Sequence, residues 1–63
     1  MIRIDRYRLS DGKHIFGKDC TDNWWETERQ DAIMTGKKIE HPEENKMVIT
    51  NWSRGWKTVL VRG

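Results

Sequence analysis

Residues 47–61 read MVITNWSRGWKTVLV, and this stretch decides the fold because it has the pattern of a β-hairpin. Two runs rich in β-branched and aromatic residues flank Ser53-Arg54-Gly55, which fits a three-residue loop ending in a left-handed glycine. That loop predicts these pairs: Trp52 with Trp56, Thr50 with Thr58 and Val48 with Leu60 on one face, and Met47 with Val61, Ile49 with Val59 and Asn51 with Lys57 on the other. We therefore expect Trp52 and Trp56 to lie side by side.

A second register of this hairpin remains open. A turn centred on Arg54 and Gly55 alone pairs Ser53 with Trp56 and places the two tryptophans on different faces. The loop length therefore determines whether the aromatic pair forms one surface.

The N-terminal residues predict another hairpin. Asp11-Gly12 separates two β-prone runs, and an Asp-Gly pair is typical of a tight type I′ turn. The first run carries Ile2 and Ile4 on one face. With this turn, Tyr7 is opposite Phe16 as a cross-strand aromatic pair.

A short helix is predicted from about Trp24 onward. Asn23 is placed as its N-cap, with Glu26 completing a capping box, and Gly36 is placed just beyond its C-terminus. Trp24 and Trp25 point about 100° apart on a helix. We expect one of them to be buried and the other peripheral.

The remaining segment predicts little regular structure. A short strand is possible near Ile39, and residues 42–46, which begin with the only proline, are interpreted as a loop. The element order ββαββ predicts an α+β fold in which one helix packs on a small antiparallel sheet. We expect residues 1–63 to form one small domain.

Composition narrows the functional class. A chain of 63 residues buries only about 60% of the surface that its unfolded form exposes, which leaves little room for a deep active site. The single cysteine, Cys20, excludes an internal disulfide, no apolar run approaches the ~20 residues of a membrane span, and the charged start MIRIDRYRLS lacks a signal-peptide pattern. We expect a cytoplasmic protein that does not associate with membranes.

Catalysis and metal binding have weak support in the sequence. His14, Cys20 and His41 are metal-ligand types, but their spacing matches no structural zinc pattern. Cys20 with either histidine has the residue types for nucleophilic catalysis. A packed thiol and two ordinary histidines explain these residues better, so we expect no catalytic residue, no metal and no cofactor.

Binding is the favoured function. Aromatic and arginine side chains dominate protein interfaces, and the residues predicted to contact a protein partner are Trp24, Trp25, Trp52, Arg54, Trp56 and Lys57. Exposed strand edges also allow a homodimer by edge pairing. The alternative is nucleic-acid binding, in which aromatic side chains stack on bases and basic ones contact phosphates; its predicted residues are Arg3, Arg6, Arg8, Lys13, Arg54 and Lys57.

Small size, one cysteine and a tryptophan-rich, mixed-charge composition also give the chain a general resemblance. In these features it resembles the small accessory proteins of bacteriophages and mobile elements. The resemblance implies a non-enzymatic protein that binds a host or regulatory machine and alters its activity.

Overall fold

The computed structural model describes residues 1–63 as a five-stranded antiparallel sheet with one helix, which confirms the α+β prediction. The elements are β1 (Ile2–Arg8), β2 (His14–Cys20), α1 (Asn23–Met34), β3 (Lys38–Glu43), β4 (Lys46–Asn51) and β5 (Trp56–Arg62). The strand near Ile39 is therefore present as β3. The prediction of a loop over residues 42–46 is wrong in extent, because Pro42 lies inside β3 and only Glu44 and Asn45 connect it to β4.

The sheet has the order β2-β1-β5-β4-β3, so the first and last strands pair at its centre. Ile4 lies opposite Leu60 and Ile2 opposite Arg62 in this pairing. Side chains on one face pack beneath α1 and form the hydrophobic core: Ile2, Ile4, Cys20, Trp25, Ala32, Met47, Ile49 and Leu60. The opposite face of the sheet has no helix over it.

The sequence predicted the C-terminal end of α1 correctly, but it did not predict the N-terminal cap. Asp22 is the N-cap and makes no side-chain cap bond, so the capping box at Asn23 is wrong. Glu26 instead accepts hydrogen bonds from Arg29 and Gln30. At the C-terminus Gly36 has φ +71°, as predicted, and its N–H donates to the Ile33 carbonyl while the next N–H donates to that of Ala32. These two bonds form a Schellman motif.

The C-terminal hairpin is shifted by one residue from its predicted register. Asn51 pairs with Trp56, and residues 52–55 form a four-residue loop, so both sequence-based registers are wrong. The Asn51 Oδ1 atom accepts hydrogen bonds from the Arg54 N–H at 3.1 Å and the Ser53 hydroxyl at 2.9 Å. The Asn51 carbonyl accepts another from Gly55, which has φ +79°. Asn51 thus fixes a loop that contains Trp52, rather than leaving Trp52 opposite Trp56.

The N-terminal hairpin has a loop of the same kind. The Gly12 N–H donates to the Arg8 carbonyl at 2.8 Å, with φ +71° at Gly12. A β-bulge then shifts the pairing, so that Arg6 lies opposite Phe16 and Tyr7 opposite His14. The predicted Tyr7–Phe16 pair is wrong, because a four-residue loop followed by a bulge replaces the tight Asp-Gly turn.

Candidate functional site

The face of the sheet beneath α1 is covered at only one end. Ile2 in β1 and Leu60 in β5 are buried, at 1% and 0% exposure. Towards the hairpin loops, in the same two strands, Arg6 and Trp56 are half-buried and Arg8 is exposed. The helix therefore leaves the loop end of this face accessible to a partner.

Arg6 lies at the centre of this accessible end. Its guanidinium carbon lies 5.5 Å from the centre of the Phe16 ring and 5.1 Å from that of Trp56. Its Nε donates to the Thr58 hydroxyl at 3.3 Å, and no carboxylate forms an ion pair with it. Arg6 is thus held by cation–π contacts while most of its N–H donors remain free.

The two hairpin loops meet beside Arg6. The Leu9 N–H donates to the Gly55 carbonyl at 2.9 Å, which joins the first loop to the second. An open depression of about 720 Å³ lies between them. Trp52, at its rim, is 69% exposed. We call the region formed by the loops and the adjoining strand ends the turn-end surface, comprising Arg6, Arg8, Leu9, Ile15, Phe16, Trp52, Arg54 and Trp56.

Arg54 connects this depression with a second one of about 510 Å³ below α1, since it lines both together with Trp56. No carboxylate forms an ion pair with Arg54, whereas Arg8 lies 3.3 Å from the Asp11 carboxylate. The second depression also contains Asp31, which forms an ion pair with Lys37 at 3.1 Å. Glu28 lines this depression as well. Arg6 and Arg54 are therefore the arginines of the turn-end surface that form no ion pair.

The residues predicted to contact a protein do not form one surface. Trp52, Arg54 and Trp56 lie together on the turn-end surface. Trp24, which is 42% exposed, borders the second depression. Trp25 is only 7% exposed, which confirms that one tryptophan of the adjacent pair is buried.

Lys57 lies apart from Trp56, although the two are consecutive. Successive residues of a strand point to opposite faces, and the Lys57 ammonium lies over the Tyr7 ring, 5.9 Å from its centre. That contact is on the face away from α1. Lys57 thus does not contribute to the turn-end surface.

The residues predicted for nucleic-acid binding do not form one continuous surface. Arg6, Arg8 and Arg54 share the turn-end surface, and Lys13 follows the first loop. Arg3 lies on the opposite face, where its guanidinium contacts the Asp5 and Asp19 carboxylates at 3.2 and 3.7 Å. Lys57 shares that face, so the basic side chains are divided between the two sides of the sheet.

The sequence missed the contribution of the first loop. Leu9 and Ile15 line the depression beside Trp52, and Phe16 contacts Arg6. A repeated pattern was the available signal: Leu9-Ser10-Asp11-Gly12 and Trp52-Ser53-Arg54-Gly55 both read apolar, serine, charged, glycine. Matching tetrapeptides that end in a positive-φ glycine predict matching loops.

The residues considered for catalysis lie far apart in the sheet. Cys20 is buried in the core, the Asp5 carboxylate accepts a hydrogen bond from His14 Nε2 at 2.9 Å, and His41 lies near Trp25 with ring centres 6.4 Å apart. His14 and Cys20 belong to β2 and His41 to β3, which are opposite edges of the sheet. No cluster of three or more histidine, cysteine or acidic side chains has a geometry suited to a metal ion.

Comparisons with known proteins give no relative. The chain matches no protein-family model, and no curated protein or solved structure matches it significantly. Its single helix, with 12 residues, is too short and too polar to cross a membrane.

Proposed function

We propose that this chain is a small non-enzymatic binding module whose turn-end surface docks a protein segment carrying carboxylates beside apolar side chains. The accessory or regulatory role implied by its general resemblance to phage and mobile-element proteins belongs to the same proposal. The observation that carries it is the arrangement around Arg6, where a guanidinium that forms no ion pair lies between the exposed Phe16 ring and the half-buried Trp56 ring.

The composition of the surface supports a protein partner. Tryptophan and arginine are the residues most enriched among interface positions that dominate binding energy. Trp52 exposes more than two thirds of its surface, and Ile15 and Phe16 are also exposed. Covering these side chains removes apolar surface from water, at roughly 25 cal/mol per Å².

The charge of the surface supports an acidic partner. Arg6 and Arg54 have no intramolecular carboxylate partner. A carboxylate from another protein can accept two parallel hydrogen bonds from one guanidinium. Partners rich in lysine and arginine are disfavoured at the same place because like charges repel.

The loops that present this surface are held in place before any partner arrives. Backbone bonds at Gly12 and Gly55 close them, and the Leu9 N–H bond to Gly55 joins them. Preorganised side chains lose less conformational entropy when they bind. The geometry therefore supports direct docking without refolding of the loops.

The test is a selection of displayed peptides on the immobilised protein, followed by affinity measurement with the purified peptides. We expect selected peptides to combine acidic and apolar residues, and the Trp52→Ala change to weaken binding about thirtyfold. Arg54→Ala should weaken it as well. Met34→Ala is the matched control, since Met34 is 83% exposed on α1 and lies outside the turn-end surface. Equal binding by the Trp52 and Met34 variants would contradict the proposal.

Nucleic acid is the competing partner, since arginines beside aromatic rings also stack on bases. Fluorescence anisotropy with a labelled single-stranded oligonucleotide distinguishes the nucleic-acid partner from the protein partner. Affinity that falls steeply with salt and is lost in both Arg6→Ala and Arg54→Ala would replace the protein partner by a polynucleotide. If the oligonucleotide does not bind, or binds with an affinity that salt does not change, nucleic acid is excluded as the partner and the protein partner is retained.

A further inference from the structure

The two edges of the sheet are protected to different degrees. Edge strand β3 contains Pro42 and an irregular pairing between Glu40 and Glu43. Proline and bulges are devices that prevent edge strands from pairing with another chain. Edge strand β2 contains no proline, and its residues 14–19 are all exposed. Its one irregularity is the bulge before Phe16, and residues 16–20 beyond that bulge pair with β1 in an unbroken register. Strand β2 is therefore the edge at which a further strand fits.

The pairing of β1 determines which groups of β2 are free. The Leu9 N–H donates to the Gly55 carbonyl, on the edge of β1 that faces β5. Because N–H groups alternate between the two edges of a strand, odd-numbered β1 residues bond to β5 and even-numbered ones to β2. Lys18, opposite Ile4, therefore faces β1, while Gly17 and Asp19 direct their backbone groups outward.

Apolar side chains lie next to this free edge on the helix side. Phe16 and Trp24, each 42% exposed, line a cavity of about 140 Å³ that also contacts Cys20. Lys18 and Glu28 line the same cavity, and Lys18 forms no ion pair. The edge thus offers hydrogen-bonding groups flanked by aromatic surface and a cation.

We propose that β2 pairs antiparallel with β2 of a second copy of the chain, about a two-fold axis at Gly17. In this register Lys18 lies opposite Phe16 of the second copy, which allows a cation–π contact, and Asp19 lies opposite Ile15. An axis at Lys18 would instead place two lysines opposite each other, which is destabilising. An axis at Phe16 would place His14 opposite Lys18. Of these three registers, only the one with its axis at Gly17 avoids facing basic side chains.

The dimer has a continuous ten-stranded sheet with both helices on one side. It covers Ile15 and Phe16, which lie in β2, and leaves the rest of the turn-end surface of each copy free, including Trp52, Arg54 and Trp56. The Asp19 variants test the dimer and the Trp52 variant tests partner binding, so either proposal can fail without the other.

Sedimentation equilibrium over a concentration series up to the millimolar range tests the dimer. We expect the Asp19→Pro change to lower the association constant about tenfold or more, because the dimer loses one outward N–H bond from each copy. Asp19→Ala is the matched control: it removes the same carboxylate but keeps the N–H, and it should still dimerise. Circular dichroism checks that both variants fold.

Hydrogen exchange on the wild-type protein supplies a test that needs no variant. The amides of Gly17 and Asp19 should become more protected as concentration rises, while exposed amides of the β3–β4 turn should not. A monomer at every concentration, or a dimer that Asp19→Pro leaves unchanged, would overturn the proposal.

Discussion

The packed end and the turn end of the same sheet face differ in burial because one short helix packs over only the first of them. A helix of 12 residues is about 18 Å long, and five strands span about 19 Å across the sheet. The helix covers the region of Ile2, Met47 and Leu60, where burial is essentially complete. At the other end, Arg6 and Trp56 remain accessible. The candidate site therefore arises because α1 covers only part of the sheet face, and no separate structural element forms it.

The adjacent residues Trp24 and Trp25 show the difference at the scale of one side chain. Trp25 packs into the core, with the Arg62 guanidinium carbon 4.3 Å from its ring centre. Trp24 is turned toward the cavities beside β2 and below α1. One residue therefore stabilises the fold, while its neighbour borders the surface available to partners.

The largest expected effect separates these two tryptophans. Trp25→Ala should lower the free energy of unfolding by about 3–5 kcal/mol, because it empties a large volume in a small core. Trp24→Ala should lower it by less than about 1 kcal/mol, since much of its surface is already solvated. Urea unfolding followed by circular dichroism measures both. Similar losses in the two variants would contradict the assignment of Trp25 to the packed end.

The fold class could be predicted because its signals are local. Alternating runs gave the hairpins, and Gly36 gave the end of α1. The central pairing of β1 with β5 joins residues 48 to 60 positions apart, and no local pattern encodes it. The predicted register of the C-terminal hairpin was also wrong, because residues 51–56, NWSRGW, are compatible with several loop lengths. The side-chain bonds of Asn51 favour the four-residue loop, and this role is invisible when Asn51 is interpreted as a strand residue.

The candidate site was predictable in part for the same reason. Trp52, Arg54 and Trp56 are close in sequence, so any loop keeps them close in space. Arg6 and Phe16 join them only through the β1–β5 pairing and the bulge in the first hairpin. Lys57 does not join them, because it follows Trp56 directly in β5 and therefore lies on the opposite face of the sheet in either register.

A smaller effect is expected at the glycines that close the two hairpin loops. Gly12 and Gly55 have φ of +71° and +79°, where an added Cβ costs about 1–2 kcal/mol. Gly55→Ala and Gly12→Ala should therefore lower the free energy of unfolding by similar amounts of that size. Thermal unfolding of both variants provides the measurement. A loss confined to one glycine would show that the loops are not equivalent.

Removing the side-chain hydrogen bonds within each hairpin loop should lower the free energy of unfolding by a smaller amount, and by different amounts in the two loops. Asn51 is buried and accepts two hydrogen bonds within its loop. The exposed Asp11 accepts one, from the Lys13 N–H at 3.0 Å. Asn51→Ala should cost about 1 kcal/mol and Asp11→Ala about 0.5 kcal/mol or less, measured by urea unfolding. A larger loss at Asp11 would reverse this ranking.

The smallest effect is expected on the solvent-facing side of α1, where packing does not contribute. A hydrogen bond from Gln30 lowers the pKa of Glu26 below its ordinary value of 4.5, and the Arg29 guanidinium also lowers it. Because the folded-state pKa is the lower one, this interaction favours folding above pH 4.5 and is lost as the pH falls through the folded-state pKa. Carboxyl chemical shifts followed by NMR during an acid titration should place the Glu26 midpoint below 4.5 in the wild-type protein. Gln30→Ala should raise this midpoint, whereas Ile33→Ala, on the same helix without a contact to Glu26, should leave it in place. A midpoint unaffected by Gln30→Ala would show that this exposed hydrogen bond does not hold the carboxylate in solution, which would widen the contrast with the packed end of the molecule.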